Sequence, residues 1–94
     1  NLSMKGMINM ESVLKDILGK NEFFEEVEEN IFVPKYLGLI VNGVVVYDVN
    51  WLVVTPKEVL FMNQGIKEHP IVSIILDNLN SLLIISEDGI KEVM

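Results

Sequence analysis

The chain has no cysteine and no arginine, a single histidine and a single tryptophan, and no apolar run of bilayer length. Without cysteine there are no disulfides, no thiolate metal ligands and no thiol nucleophile, which fits a reducing compartment. A membrane-spanning helix needs about 20 consecutive apolar residues. The opening "NLSMKGMINM" has no long apolar stretch of the signal-peptide kind. The expectation is a soluble, cytoplasmic protein without membrane insertion. All seven cationic side chains are lysines, set against 14 acidic ones, for a net charge of −7. Nucleic-acid binders need a basic face and use arginine for forked contacts to phosphate and guanine, so no nucleic-acid partner is expected. Anionic membranes are disfavoured by the same charge, whereas a basic protein surface would attract it.

The sequence is rich in apolar side chains: they make up 50% of 94 residues. That length fits one domain, 1–94, with one core. So short a chain has difficulty sheltering so much apolar surface.

The pattern divides into a helical front, about 10–29, and a stranded back, about 31–93. Met10, Val13, Leu14, Ile17 and Leu18 fall at the spacing of one helix face. This predicts a helix over about 10–18, with Asn9 as its N-cap and Gly19 as a left-handed residue past its end. "NEFFEEVEEN" reads as a second short helix, capped by Asn21, with Phe23, Phe24 and Val27 on its apolar side. From Ile31 on, β-branched residues dominate and turn residues recur. Asn42-Gly43 between two apolar runs is the preferred type I′ hairpin turn, because both central residues need positive φ. Further strands are predicted at 51–55, 58–62, 66–68, 71–76, 81–86 and 90–93. Every connection is too short for a crossover helix, which predicts an antiparallel meander. The fold class is α+β, with two N-terminal helices followed by a strongly bent sheet or partly open barrel.

The strand faces carry the functional signal. Read as one strand, "VVVYDVNWLVVT" places Val45, Tyr47, Val49, Trp51, Val53 and Thr55 on one side. The opposite side is also largely apolar, broken only at Asp48 and Asn50. A sheet with one face in water would alternate more cleanly. Either the sheet curls to bury both sides, or part of a face is a contact surface. The interface residues expected on the second reading are Trp51, Val53, Tyr47, Val49 and Phe61. Glu22, Glu25, Glu26 and Glu29 form the expected acidic contact face, which is otherwise a solvated helix side.

Reagents for catalysis are scarce. His69 is the one histidine, but it precedes Pro70 without a serine nucleophile signature, and reads as a turn residue. The glutamates at 22–29 lack the loop and glycine of a calcium site. Gly38 and Gly43 match no phosphate-binding spacing. No catalytic, metal or cofactor site is predicted, and the protein is not expected to be an enzyme.

"VVTPKEVLFM", "GIKEHPIVSI" and "LLIISEDG" are the features through which Leu52 to Val93 resembles bacterial pleckstrin-homology-like (PH-like) and GRAM-like domains. The resemblance implies a strongly bent antiparallel sheet closed by a C-terminal helix, used to dock lipids or proteins. The residues up to Met94 include no counterpart of that helix. The implied architecture is then a barrel plugged by the N-terminal helices, or a flatter helix-on-sheet domain. The lysines do not cluster, so lipid binding is not expected. The sequence thus predicts a PH-like, non-enzymatic protein-interaction module, a homodimer or part of a complex. The alternative is a small acidic inhibitor or mimic, of virus or mobile-element type, on a basic partner surface. A third class is a small-molecule sensor, because small barrels enclose ligands.

Overall fold

The helix begins where its cap is placed by the sequence. In the computed structural model, which describes residues 9–94, α1 spans Met10–Lys20, and the Asn9 side-chain oxygen accepts a hydrogen bond from Ser12 N–H at 3.1 Å. Leu14 and Leu18 are buried. Gly19 does not terminate the helix: it lies inside it, and the cap is Asn21, whose N–H bonds the Leu18 carbonyl. Asn21 therefore ends one helix rather than starting another, and its side-chain oxygen accepts from Phe23 N–H at 2.8 Å.

The predicted second helix is a strand. β1 (Phe24–Glu28) forms a hairpin with β2 (Ile31–Pro34) across Glu29-Asn30, with Asn30 at φ 71°. A short helix carrying glutamates at its C-terminal end would oppose its own dipole and nucleate poorly. As a strand, the segment buries Phe24 and pairs with β2.

The remaining strands are β3 (Gly38–Val41), β4 (Val44–Val46), β5 (Trp51–Val54), β6 (Glu58–Met62), β7 (Val72–Ile75), β8 (Leu82–Ser86) and β9 (Gly89–Glu92). The expected strand at 66–68 is absent; only a bridge between Asn63 and Ile66 forms there. Nor is the arrangement a meander or a closed barrel. It comprises two antiparallel sheets, ordered β1-β2-β5-β6-β7 and β4-β3-β8-β9. The hairpins are local, but the β2–β5 and β3–β8 pairings join strands distant in sequence. One hydrophobic cluster unites Phe32, Leu52, Val54, Val59 and Phe61 of the five-stranded sheet with Leu39, Val41, Val46, Leu82 and Ile84 of the other. Leu14 and Leu18 of α1 belong to the same cluster.

Polar side chains hold the crossings between sheets. Asp48, at φ 65°, turns the chain out of β4, and its carbonyl accepts from Asn63 Nδ2 at 2.8 Å. Asn50 Oδ1 accepts from Gln64 N–H at 2.9 Å. At the predicted hairpin, Asn42 and Gly43 have φ of 50° and 82°. The Asn42 side chain donates to the Asn78 carbonyl and accepts from Asn80 and Ser81 N–H, tying the β3–β4 turn to the chain entering β8. Asn42→Ala is therefore expected to cost about 2 kcal/mol, from left-handed strain and lost hydrogen bonds. The melting temperature should fall by roughly 10 °C. Asn42→Gly, which accepts the backbone geometry, should recover part of the loss in the same thermal melt.

Candidate functional site

Cross-strand register decides which side chains face away from the core. In the five-stranded sheet, Ile31, Val53, Leu60 and Ser73 lie in one row, with Val33 beside Glu25 and Trp51 beside Met62. This row alternates with the buried Phe32, Leu52, Phe61 row, so it points to the opposite side. Ile31, Val33, Trp51, Val53 and Leu60 are half-buried and lie outside the core cluster. They form a continuous apolar outer face centred on β5.

The four-stranded sheet repeats the arrangement. Ile40 pairs with Val45 on one side and Leu83 on the other, and Ile85 pairs with Gly38 and Ile90. These residues alternate with the buried Leu39, Val41, Leu82 and Ile84. Tyr47, just beyond β4, lies beside them: a Cβ added at Gly38 would sit 3.5 Å from the Tyr47 ring and 3.2 Å from Ile85 Cδ1. The tight contact is the one to Ile85, so glycine at 38 relieves crowding against that side chain, while the Tyr47 ring lies at ordinary van der Waals distance.

Of the residues expected at an interface, Trp51 and Val53 are on the first outer face and Tyr47 is beside the second. Val49 and Phe61 are fully buried and present no surface to a partner. The correction has a geometric cause. Val45 through Val53 is not one strand: β4 and β5 belong to different sheets, and the chain between them is irregular, with positive φ at Asp48. Alternation is interrupted there, so Val49 turns inward while Trp51 and Val53 turn outward. Phe61 pairs with Leu52 and Val72 on the inner side of β6.

Glu22, Glu25, Glu26 and Glu29 are all exposed. A helix would have gathered them along one side, whereas strand β1 divides them. Glu25 shares a side with Val33, and Glu26 the opposite side with Phe32. They guard an edge of the sheet instead of forming one acidic face.

The four sheet edges differ. β1 carries three glutamates and β9 carries Lys91 and Glu92, whereas β4 (Val-Val-Val) and β7 (Val-Ser-Ile-Ile) carry no charge. Charge on an edge strand discourages another chain from pairing there. Each sheet thus has one guarded edge and one bare edge. The sequence reading missed the partners of Trp51 on its face (Ile31, Val33, Leu60), the whole outer face of the other sheet, and these edges. The hairpin at Asn42-Gly43 held a signal for part of it: it fixes Ile40 opposite Val45, away from Leu39 and Val41.

Other candidates for chemistry are weak. An open depression of about 440 Å³ is lined by Asn9, Met10, Glu11, Pro56, Lys57, Ile75, Leu76 and Asp77. Two of its polar groups are already engaged: Asn9 caps α1 and Glu11 pairs with Lys15 at 3.2 Å. His69 is exposed in the loop before β7. Among the described residues, no three carboxylate or imidazole groups converge as metal ligands, and no helix is long and apolar enough to cross a membrane. No family model, curated protein or solved structure matches this chain.

Proposed function

We propose that the domain is a non-enzymatic protein-interaction module. The observation that carries this is the outer face of the five-stranded sheet, where Trp51 and Val53 stand among Ile31, Val33 and Leu60, part-exposed and turned from the core. A half-buried tryptophan in an aliphatic surround is the usual composition of an interface anchor. The resemblance of Leu52 to Val93 to PH-like and GRAM-like domains supports the same reading, since those modules dock other molecules. The partner is another protein or a further copy of the domain. Its contact is apolar, so it should persist as salt is raised, unlike a contact made by exposed charges.

The test is affinity capture from the native cells with the wild-type domain and a Leu60→Lys variant. Leu60 lies on the face beside Val53, and its replacement puts a charge there without touching the core row. A specific partner retained by wild type in high salt, and bound at least about tenfold more weakly by the variant, supports the module. A wild-type domain that retains no protein and stays monomeric removes the basis for it.

A second reading is favoured by β1. Its exposed glutamates, with Glu22 and Glu29 at its ends, suit an acidic mimic on a basic surface. Binding of that kind should weaken steeply with salt and should ignore Leu60→Lys.

A further inference from the structure

The bare edge of the four-stranded sheet is a separate surface, and its occupant can be argued from its own residues. Val44 is 64% exposed, Val45 46% and Tyr47 67%; Tyr47 and Val44 are the two most exposed large apolar residues among those described. They sit on and just past β4, the uncharged edge. From these observations, and resting on the reading that exposed apolar surface here serves protein contact, we infer that β4 pairs antiparallel with β4 of a second copy, joining two four-stranded sheets into one.

The backbone is arranged for it. In a hairpin closed by the two residues Asn42-Gly43, the flanking pair Val41 and Val44 exchange both hydrogen bonds, as do Leu39 and Val46 two residues on. Val45 therefore directs its N–H and C=O to the free edge. A two-fold axis at Val45 lets each Val45 donate to and accept from the other. The same axis sets Val44 beside the second copy's Val46, which covers the exposed Val44. It also joins the two outer faces through Ile40, Val45 and Tyr47.

Charge selects this edge for self-pairing. With a net charge of −7, two copies meet favourably only where carboxylates are absent. Self-pairing at β1 would set glutamates against glutamates, and like charges directly opposed in a sheet are destabilising. At β9 the strand carries Glu92 and adjoins Glu87 and Asp88. Along the chain the charge nearest β4 is Asp48, two residues past the strand, where the chain has turned out of the ladder, and a two-fold at Val45 sets the two copies' Asp48 at opposite ends of the paired strands. The second bare edge, β7, is a poorer candidate: Ser73 is polar at its centre, and the strand is bounded by Pro70 and Asp77. A contact built on one short edge lies at the small end of protein interfaces, so the dimer should be reversible and concentration-dependent.

The experiment is sedimentation equilibrium over a concentration series, in low and high salt, on wild type and three variants. Val45→Pro deletes the outward N–H and spares the ladder to β3, as proline is tolerated on an edge. Val45→Lys places a charge on the edge and keeps the N–H; Ser73→Lys does the same on β7. Circular dichroism checks that each variant is folded. The expected result is a wild-type mass rising to twice the monomer in both salts, both Val45 variants remaining monomeric, and Ser73→Lys matching wild type. Hydrogen exchange at the Val45 amide should slow as concentration rises. A wild type that stays monomeric overturns the β4 dimer and leaves the Trp51 face to a different protein. A dimer that survives both folded Val45 variants, or dissolves in high salt, also overturns it. Neither result alone decides the Leu60→Lys capture, which fails only when the wild type also retains no protein, so the two proposals fail separately.

Discussion

Replacing Phe61 with alanine should lower the stability of the domain by about 3–5 kcal/mol, the cost of emptying a buried aromatic site. Phe61 is fully buried in β6, which lies between β5 and β7, and it pairs with Leu52 and Val72 on the inner side. Its neighbours belong to three strands of one sheet, and strands fixed by their own ladders cannot close fully over the missing ring. Domains of this size have only about 5–15 kcal/mol in total, so the variant should be close to its unfolding midpoint on mild warming. Denaturant titration should show the midpoint falling with the slope unchanged, since the surface exposed on unfolding hardly alters. Phe61→Leu should fall between the two. If Phe61 were a surface contact, as its apolar run first suggests, Phe61→Ala would change stability by no more than about 0.5 kcal/mol and act on binding instead.

The contrast shows which parts of this structure were legible in the chain. Signals that act over a few residues were readable. Asn9 caps α1 through Ser12, three positions on, and Asn42-Gly43 sets a turn by its own dihedral preferences. Thr55 closes the β5–β6 turn by accepting from Glu58 N–H at 2.9 Å. Decisions made between distant residues were not. Nothing near Ile31 announces its place beside Val53, and nothing near Leu39 announces Ile84. "NEFFEEVEEN" shows no strand alternation, with only Phe24 of β1 buried, and the strand prevails because Phe24 reaches the core and the following segment pairs with it. The positive φ of Asp48 is equally hidden, although Asp48 and Asn50 did mark a polar break. Reading through that break kept Trp51 and Val53 together but carried Val49 along with them wrongly. The candidate face was therefore half visible: its anchor could be found, while its boundary depended on long-range register.

Trp51→Ala tests whether that anchor governs partner binding. Truncating a central aromatic anchor costs about 2–4 kcal/mol of binding free energy, which is roughly 30- to 1,000-fold in Kd. Trp51 is half-buried on the outer side of β5, so its removal opens no hole in the core cluster, and the stability loss should be smaller than at Phe61. Titration of the captured partner against folded wild-type, Trp51→Ala and Trp51→Phe domains separates the two effects. The alanine variant should lose affinity on this scale at unchanged circular dichroism, and the phenylalanine variant should keep much of it. An unchanged Kd for the alanine variant would mean that the partner docks elsewhere. The same variant has a second use. Trp51 and Val45 lie on different sheets, so Trp51→Ala should leave the β4 dimer at wild-type strength, while Val45→Lys should leave the Kd for the captured partner unchanged. Distant, unshared contacts add independently, so a double variant should lose both activities by the sum of the two single effects. Coupling between them would mean that dimer formation builds the docking face, with the partner then binding across both copies.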